Sequence, residues 1–197
     1  MVSGEDTATA TFTFSIPKYA AKVLNSTTAT GVEKQLVKDV LAYVQAAYNY
    51  FTEFNTAEEI ARVNALVDSL LTVGGDYNGE PTLTGVTNTA SPVTSVTLNL
   101  DAKPTIRFYV TDTSVEFYAN GVKLNTVTGI DTTYGAYVEL DVYAYALAET
   151  ITYGDSGSYH ISDFLTNSAG EDHENLVACF IKYVESAAAY RNYVIGN

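Results

Sequence analysis

Residues 36–51 read LVKDVLAYVQAAYNYF, and residues 176–191 read LVACFIKYVESAAAYR. Leu, Val, Tyr, Val, Ala and Tyr are identical at aligned positions, and Leu41/Ile181 and Gln45/Glu185 are conservative changes. The matches keep their order from one end of the segment to the other, which indicates a duplicated unit rather than a chance likeness. The organisation of the chain is therefore worked out from this unit.

Each copy has the spacing of an amphipathic helix. In the first copy, apolar residues recur three and four positions apart in two adjacent stripes that begin at Leu36 and Val37. This spacing predicts a helix over roughly residues 32–54 with a wide apolar face. The second copy keeps the stripe that runs from Leu176 to Tyr190. Because such a face must be covered, the two copies are expected to pack on each other or on a sheet.

The duplication extends upstream of the long helices into a short predicted helix. In the first unit, residues 7–14, TATATFTF, alternate as a strand does, and Ser15 is expected to cap the short helix. This strand could end a preceding β module or join the only sheet in the chain. We favour the sheet, because a lone strand would leave its backbone groups unpaired. The aligned residues of the two units are Phe14/Tyr159, Ile16/Ile161 and Tyr19/Phe164.

Between the copies the hydrophobic period changes from helical to alternating. A capping-box pattern at Thr56 and Glu59 first opens a third helix, which the Gly74-Gly75 pair is expected to end. Asn120-Gly121 then predicts a type I′ hairpin turn. Alternating runs that predict strands cover residues 94–100, 105–110, 114–119, 122–127, 135–142 and 149–153.

These elements predict an α+β fold. Residues 1–197 are interpreted as a single module, in which an antiparallel β-sandwich or curled sheet packs with two related helical units. The first helical unit covers residues 14–72, the β region residues 93–153, and the second helical unit residues 159–195.

The charge balance excludes several classes of partner. The chain has 23 acidic and 10 basic residues, a formal net charge of −13. Such a chain repels phosphate backbones and anionic lipid surfaces, so neither nucleic acid nor a membrane surface is an expected partner. No run approaches the roughly 18 apolar residues of a membrane span, so no membrane insertion is expected. Cys179 is the only cysteine, which leaves no disulfide framework or cysteine metal site, and we interpret it as a partly buried helix residue rather than a catalytic thiol.

No catalytic motif is legible, and the protein is not expected to be an enzyme. His160 and His173 have no nucleophile or acid at a motif spacing, so they are interpreted as surface or helix-start residues. Glu139 and Asp141 would face one side of a strand, which is more typical of a solvated edge than of a glycosidase pair. The acidic residues within 167–175 lack the ligand pattern of a calcium loop and instead suit a helix N-terminus. No metal site and no cofactor are predicted.

Tyrosines beside hydrogen-bonding side chains are the candidate binding groups, because flat rings stack on sugars while amides and carboxylates bond to hydroxyls. The loop GGDYNGEP, residues 74–81, places Tyr77 among such groups, although it could also be a plain turn. If Phe108 and Phe117 line the core, Tyr109 and Tyr118 face outward and could form an aromatic strip; in the opposite case the helices cover them. The predicted ligand-binding residues are Asp76, Tyr77, Asn78, Tyr109, Tyr118 and Asn120.

The motifs YHISDFL at 159–165, ENLVACFIKYVESAAAYRNY at 174–193 and RFYV…VEFYANGVKL at 107–124 resemble a module of large secreted or cell-surface proteins of gut clostridia and ruminococci. Some members of that group are starch-adherence proteins of the amylosome. The resemblance implies a non-catalytic carbohydrate-binding module, with starch or another α-glucan as ligand. It also implies an extracellular or cell-surface location, a signal peptide outside this sequence, and other domains of a larger parent protein as partners.

The chain contains no Trp but 16 Tyr, so tyrosine would have to supply the rings of a sugar platform. Two other interpretations therefore remain open. A structural or protein-interaction spacer of a surface protein, with no small ligand, also fits the sequence. An enzyme with an unrecognised site is a third alternative.

Overall fold

The computed structural model describes residues 16–100 and 104–196, and this part of the chain begins and ends with a helix. Two capping boxes, Thr30 with Glu33 and Thr56 with Glu59, fix the starts of α2 and α3. The helices are α1 (Ile16–Leu24), α2 (Gly31–Tyr50), α3 (Ala57–Leu71), α4 (Asp163–Ser168) and α5 (Glu174–Gly196).

The β region forms two antiparallel four-stranded sheets, which confirms the α+β prediction. One sheet has the order β1-β2-β6-β5 and the other β4-β3-β7-β8. A short 3₁₀ helix, Ala144–Ala148, precedes β7. The strands are β1 (Val93–Asn99), β2 (Thr105–Val110), β3 (Phe117–Ala119), β4 (Val122–Lys123), β5 (Thr126–Asp131), β6 (Gly135–Leu140), β7 (Ile151–Tyr153) and β8 (Gly157–Tyr159).

The hairpin prediction is confirmed, whereas the strand count is corrected. Asn120 and Gly121 have φ values of 49° and 73° and join β3 to β4, as a type I′ turn requires. The run 122–127, predicted as one strand, is divided between β4 and β5, which belong to different sheets. Strand β8 was not predicted, because Gly157 and Ser158 give it no apolar alternation.

The two sheets face each other across the main hydrophobic core. Phe108 of one sheet and Phe117 of the other are both fully buried, with ring centroids 4.5 Å apart. Helix α5 closes this core with Phe180, Ile181 and Val184, which are also fully buried. The β-sandwich and the second long helix therefore share one core.

Helix α2 packs on α5 rather than on a sheet. Its Tyr43 ring stacks on the aligned Tyr183 ring of α5, with centroids 6.1 Å apart and planes 12° apart. The opposite side of α2 meets α1 and α3 in a smaller cluster that includes Leu24, Leu41 and Val67. The prediction that the copies pack on each other or on a sheet is thus confirmed. Helix α5 packs on α2 and on the sheets, and α2 packs on α5.

The upstream parts of the two units differ. Phe164 of α4 packs against the main core and meets Tyr159 edge to face at 5.4 Å. The aligned Tyr19 of α1 is more than half exposed. The predicted strand 7–14 and the Ser15 cap lie outside the described residues.

Within residues 16–100 and 104–196, none of the helices combines the length of a membrane span with sufficient apolar character.

Candidate functional site

The loop between α3 and β1 crosses both long helices before it reaches the sheets. The Tyr77 hydroxyl donates to Asp39 Oδ1 of α2 over 2.8 Å, and the Thr82 backbone N–H donates to Glu185 Oε2 of α5 over 3.2 Å. Asn88 then forms an isolated antiparallel bridge with Ser158 of β8. These bonds hold the loop against the helix pair.

Tyr77 has a structural role in this loop. Its ring is half-buried, and a Cβ added to Gly79 would come within 2.9 Å of it, so the Gly79 backbone lies against the ring. Asp76 and Asn78 are exposed, and Asn78 Oδ1 accepts the Glu80 backbone N–H over 3.0 Å. The hydroxyl and part of the ring are therefore already engaged, which disfavours Tyr77 as a stacking platform.

Asp39 is the most unusual titratable group of the helix pair. It has no exposed surface; its Oδ1 accepts from Gln35 and Tyr77, whereas Oδ2 has no hydrogen-bond partner. The Ser186 hydroxyl lies nearby but donates to the Tyr183 carbonyl over 3.1 Å. Burial raises the pKa of the Asp39 carboxyl, although the donors and Lys182 act against that effect.

The prediction that Tyr109 is an exposed ring is wrong. Phe108 lines the core as expected, so Tyr109 does point away from it, but only 3% of Tyr109 is exposed. Tyr134 and Tyr137 cover it, with ring centroids 5.1 Å and 6.1 Å away. Arg107 lies over the Tyr137 ring at 4.1 Å. Tyr109 is therefore the floor of an outer aromatic cluster.

Tyr118 is partly exposed but lies on the other sheet. Since Phe108 and Phe117 face each other across the core, Tyr109 and Tyr118 point outward on opposite sides of the sandwich. The Tyr118 hydroxyl donates to Glu116, which also accepts from Lys123. The two tyrosines therefore form no common aromatic strip.

Asn120, by contrast, lines a groove that brings several functional side chains together. This tyrosine groove lies where the chain crosses between the sheets, after β4 and after β6, and the last turns of α5 form its other wall. The Asp141 backbone N–H donates to the Asn125 carbonyl over 2.8 Å and joins the two crossings. The groove has a volume of about 450 Å³. Its polar and aromatic lining comprises Asn120, Lys123, Asn125, Asp141, Tyr143, Tyr145, Glu149, Arg191 and Asn192.

The aromatic part of the tyrosine groove is a pair of stacked rings. The centroids of Tyr143 and Tyr145 are 5.8 Å apart and their planes differ by 20°. Tyr143 is 74% exposed, and the Arg191 guanidinium lies 4.6 Å from the centre of the Tyr145 ring. Tyr143 is thus a flat, accessible ring that a stacked neighbour holds in place.

The arrangement suits recognition of a polyhydroxylated ring. The amides of Asn120, Asn125 and Asn192 can both donate and accept hydrogen bonds, and the carboxylates of Asp141 and Glu149 accept them. Together with an exposed ring, these groups could bind the hydroxyls and the apolar face of a sugar.

Sequence reasoning found Asn120 but missed the rest of the groove. The run that contains Asp141 was interpreted as the end of a strand, whereas β6 stops at Leu140. The available signal was two tyrosines separated by a single residue, but Tyr145 lies in the 3₁₀ helix Ala144–Ala148, so strand alternation does not account for their stacking. No local pattern places Arg191 beside Tyr145, because the two are distant in sequence.

The other candidate groups are engaged structurally. His160 is buried; its Nδ1 lies 2.6 Å from Ser162 Oγ and its Nε2 lies 3.3 Å from the Ala148 carbonyl. Of the two expectations for it, a surface residue is wrong, whereas a helix-start residue agrees with its carbonyl accepting the Asp163 N–H at the start of α4. Glu139 accepts two hydrogen bonds from Arg107 on the outer sheet face. Cys179 is half-buried, as predicted, and burial raises its thiol pKa to about 11, which disfavours the reactive thiolate.

A metal centre would need several clustered ligands. Among the residues that the structure describes, no group of three or more His, Cys, Asp or Glu side chains could hold a metal ion.

Comparison with known proteins adds no identity. A scan against protein-family models, a search of curated proteins and a search of solved structures each found no match.

Proposed function

We propose that this protein is a non-catalytic carbohydrate-binding module of a secreted or cell-surface protein, and that it binds its glycan in the tyrosine groove. Starch or another α-glucan is the ligand class to test first, because the sequence resembles starch-adherence modules. The observation that carries the proposal is the 74% exposed Tyr143 ring, stacked on Tyr145 and surrounded by amides and carboxylates.

The recognition would divide between the ring and the polar side chains. A sugar would place its C–H face on Tyr143, while Asp141, Glu149 and the asparagine amides bond to its hydroxyls. A groove with one exposed ring contributes little energy for each sugar, so we expect micromolar affinity and a gain from multivalency in the parent protein.

Titration calorimetry and affinity electrophoresis with starch, maltooligosaccharides and other plant polysaccharides test this proposal. Tyr143→Ala should weaken glycan binding at least tenfold, because it removes the stacking surface. The unfolding midpoint should stay within error, since Tyr143 is mostly exposed. Tyr134→Ala is the matched control, because Tyr134 is 64% exposed but lies outside the groove, and it should leave affinity unchanged.

Three results would contradict parts of the proposal. If the Tyr143→Ala variant binds glycan as tightly as the unchanged protein, the tyrosine groove is not the binding site, although the protein is still a carbohydrate-binding module. Binding of no glycan across an array would favour the structural or protein-interaction spacer, and turnover of a bound glycan would defeat the non-catalytic assignment.

A further inference from the structure

A second groove adjoins the tyrosine groove and is almost entirely apolar. This apolar groove lies between the first half of α2 and the last turns of α5 and has a volume of about 460 Å³. Leu36 and Val40 form one side, and Ala187, Tyr190 and Val194 form the other. A space of this size and lining is typical of a pocket that holds the apolar part of a ligand.

The two grooves adjoin each other. Tyr145 and Arg191 line both of them, and the Arg191 guanidinium lies over the Tyr145 ring at 4.6 Å. On the tyrosine-groove side of this pair, amides and carboxylates stand among apolar side chains such as Val122, Leu124 and Val142. On the other side the walls are aliphatic and aromatic. Of the described residues that line the apolar groove, Arg191 alone is charged. The lining therefore becomes almost entirely apolar beyond the Tyr145 and Arg191 pair.

We propose that the ligand is a glycoside with an apolar aglycone: the sugar occupies the tyrosine groove, and an alkyl or aryl group occupies the apolar groove. This inference rests on the proposed function. The guanidinium N–H groups stand where a ligand changes from hydroxylated to apolar, so they can donate to an oxygen at the glycosidic junction. A protein partner that bound the apolar groove alone would make no use of the adjoining tyrosine groove.

Matched pairs of methyl and hexyl glycosides of glucose, maltose, galactose, xylose and N-acetylglucosamine test the proposal. Their affinities are measured by titration calorimetry below micelle-forming concentrations. Each fully buried methylene strengthens binding about fourfold. We expect at least one hexyl glycoside to bind ten times more tightly than its methyl partner, which allows for partial burial of the chain.

The variants separate the two grooves. The double substitution Val194→Asp with Ile195→Asp should remove the hexyl gain and leave methyl glycoside binding unchanged. The two residues are 54% and 63% exposed, so the fold should tolerate the change. Val86→Asp, at an exposed loop position outside both grooves, is the matched control and should keep the gain.

The outcomes distinguish this inference from the proposed function. If methyl glycosides bind through Tyr143 but no hexyl partner gains affinity, the amphiphilic ligand is wrong and the sugar site stands. A gain that survives the double substitution also overturns the inference. If no glycoside of either kind binds, the inference fails, and the proposed function fails with it only when starch and the other glycans of the array also do not bind.

Discussion

The long helices α2 and α5 have similar sequences and different environments. In α5, the repeated apolar face closes the sandwich core, and Phe180, Ile181 and Val184 are fully buried. In α2, the residue aligned with Phe180 is Val40, which is only partly buried and lines the apolar groove. The repeat thus establishes that both helices have an apolar face, whereas the size of the side chain at each aligned position reflects what covers that face.

The two ends of the helix pair extend the comparison. Leu36 meets the Tyr190 side of α5 in the apolar groove, and the aligned Leu176 lies with Tyr50 in a groove at the other end. The groove that contains Leu176 and Tyr50 is also lined by Phe164 of α4 and by Leu98 of β1. The aligned positions Leu36 and Leu176 therefore have different neighbours. Among the described residues, the groove that contains Leu36 shares Tyr145 and Arg191 with the tyrosine groove, whereas the groove that contains Leu176 shares no residue with it.

The largest expected difference between the helices is at their aligned core position. Phe180→Ala should lower the free energy of unfolding by about 3–5 kcal/mol, because it leaves a cavity in a fully buried core. Val40→Ala should cost less than about 1 kcal/mol, since Val40 is only partly buried and alanine has the higher helix propensity. Urea denaturation of both variants measures the contrast. Similar losses at the two positions would mean that the helices share one role.

The periodic elements of the fold were predictable from the sequence. The capping boxes, the three-and-four spacing and the Asn120-Gly121 turn are local signals, and each specifies its element. The division of residues 122–127 between two sheets was not predictable, because it depends on which strands pair with β4 and β5. Pairing partners lie far apart in sequence and leave no mark in a short window.

The candidate site was less predictable for a related reason. Alternation correctly turned Tyr109 away from Phe108, but it could not show that Tyr134 and Tyr137 cover that ring. Tyr77 was selected for its polar neighbours in sequence, yet the contact that matters is to Asp39 on another element. A binding groove is a long-range property, and only Asn120 was marked by a local turn signal.

The next largest effect on stability is expected at Asp39, which is aligned with Cys179 of α5. Asp39→Asn should stabilise the protein at neutral pH by about 1–3 kcal/mol, the usual cost of a buried polar group without a partner. The asparagine oxygen can keep the bonds from Gln35 and Tyr77, and its amide can donate to the Ser186 hydroxyl. Thermal and urea unfolding between pH 3 and pH 8 measure the effect.

The raised pKa of Asp39 determines how the stability difference between Asp39→Asn and the unchanged protein should vary with pH. Burial raises the folded-state pKa of Asp39 above 3.8, so the native state binds the proton more tightly than the unfolded state does. The Asp39 contribution therefore favours folding at low pH and is lost as the pH rises from 3.8 through the folded pKa. The advantage of Asp39→Asn should accordingly grow over that interval. The exposed Asp76→Asn control should show no such trend, and equal curves for all three proteins would contradict the assignment.

The smallest effect tests whether the loop across the helices is scaffold or binding surface. Tyr77→Phe keeps the ring but removes the hydroxyl that donates to Asp39, so it should cost about 1 kcal/mol of stability and leave glycan affinity unchanged. Tyr134→Phe, at an exposed position, is the control and should change neither quantity. If Tyr77→Phe instead preserves stability and weakens glycan binding, the hydroxyl contacts ligand rather than α2. Tyr77 and Cys179 line another groove, and in that case the binding site would include it. The tyrosine groove would then not be the main binding site.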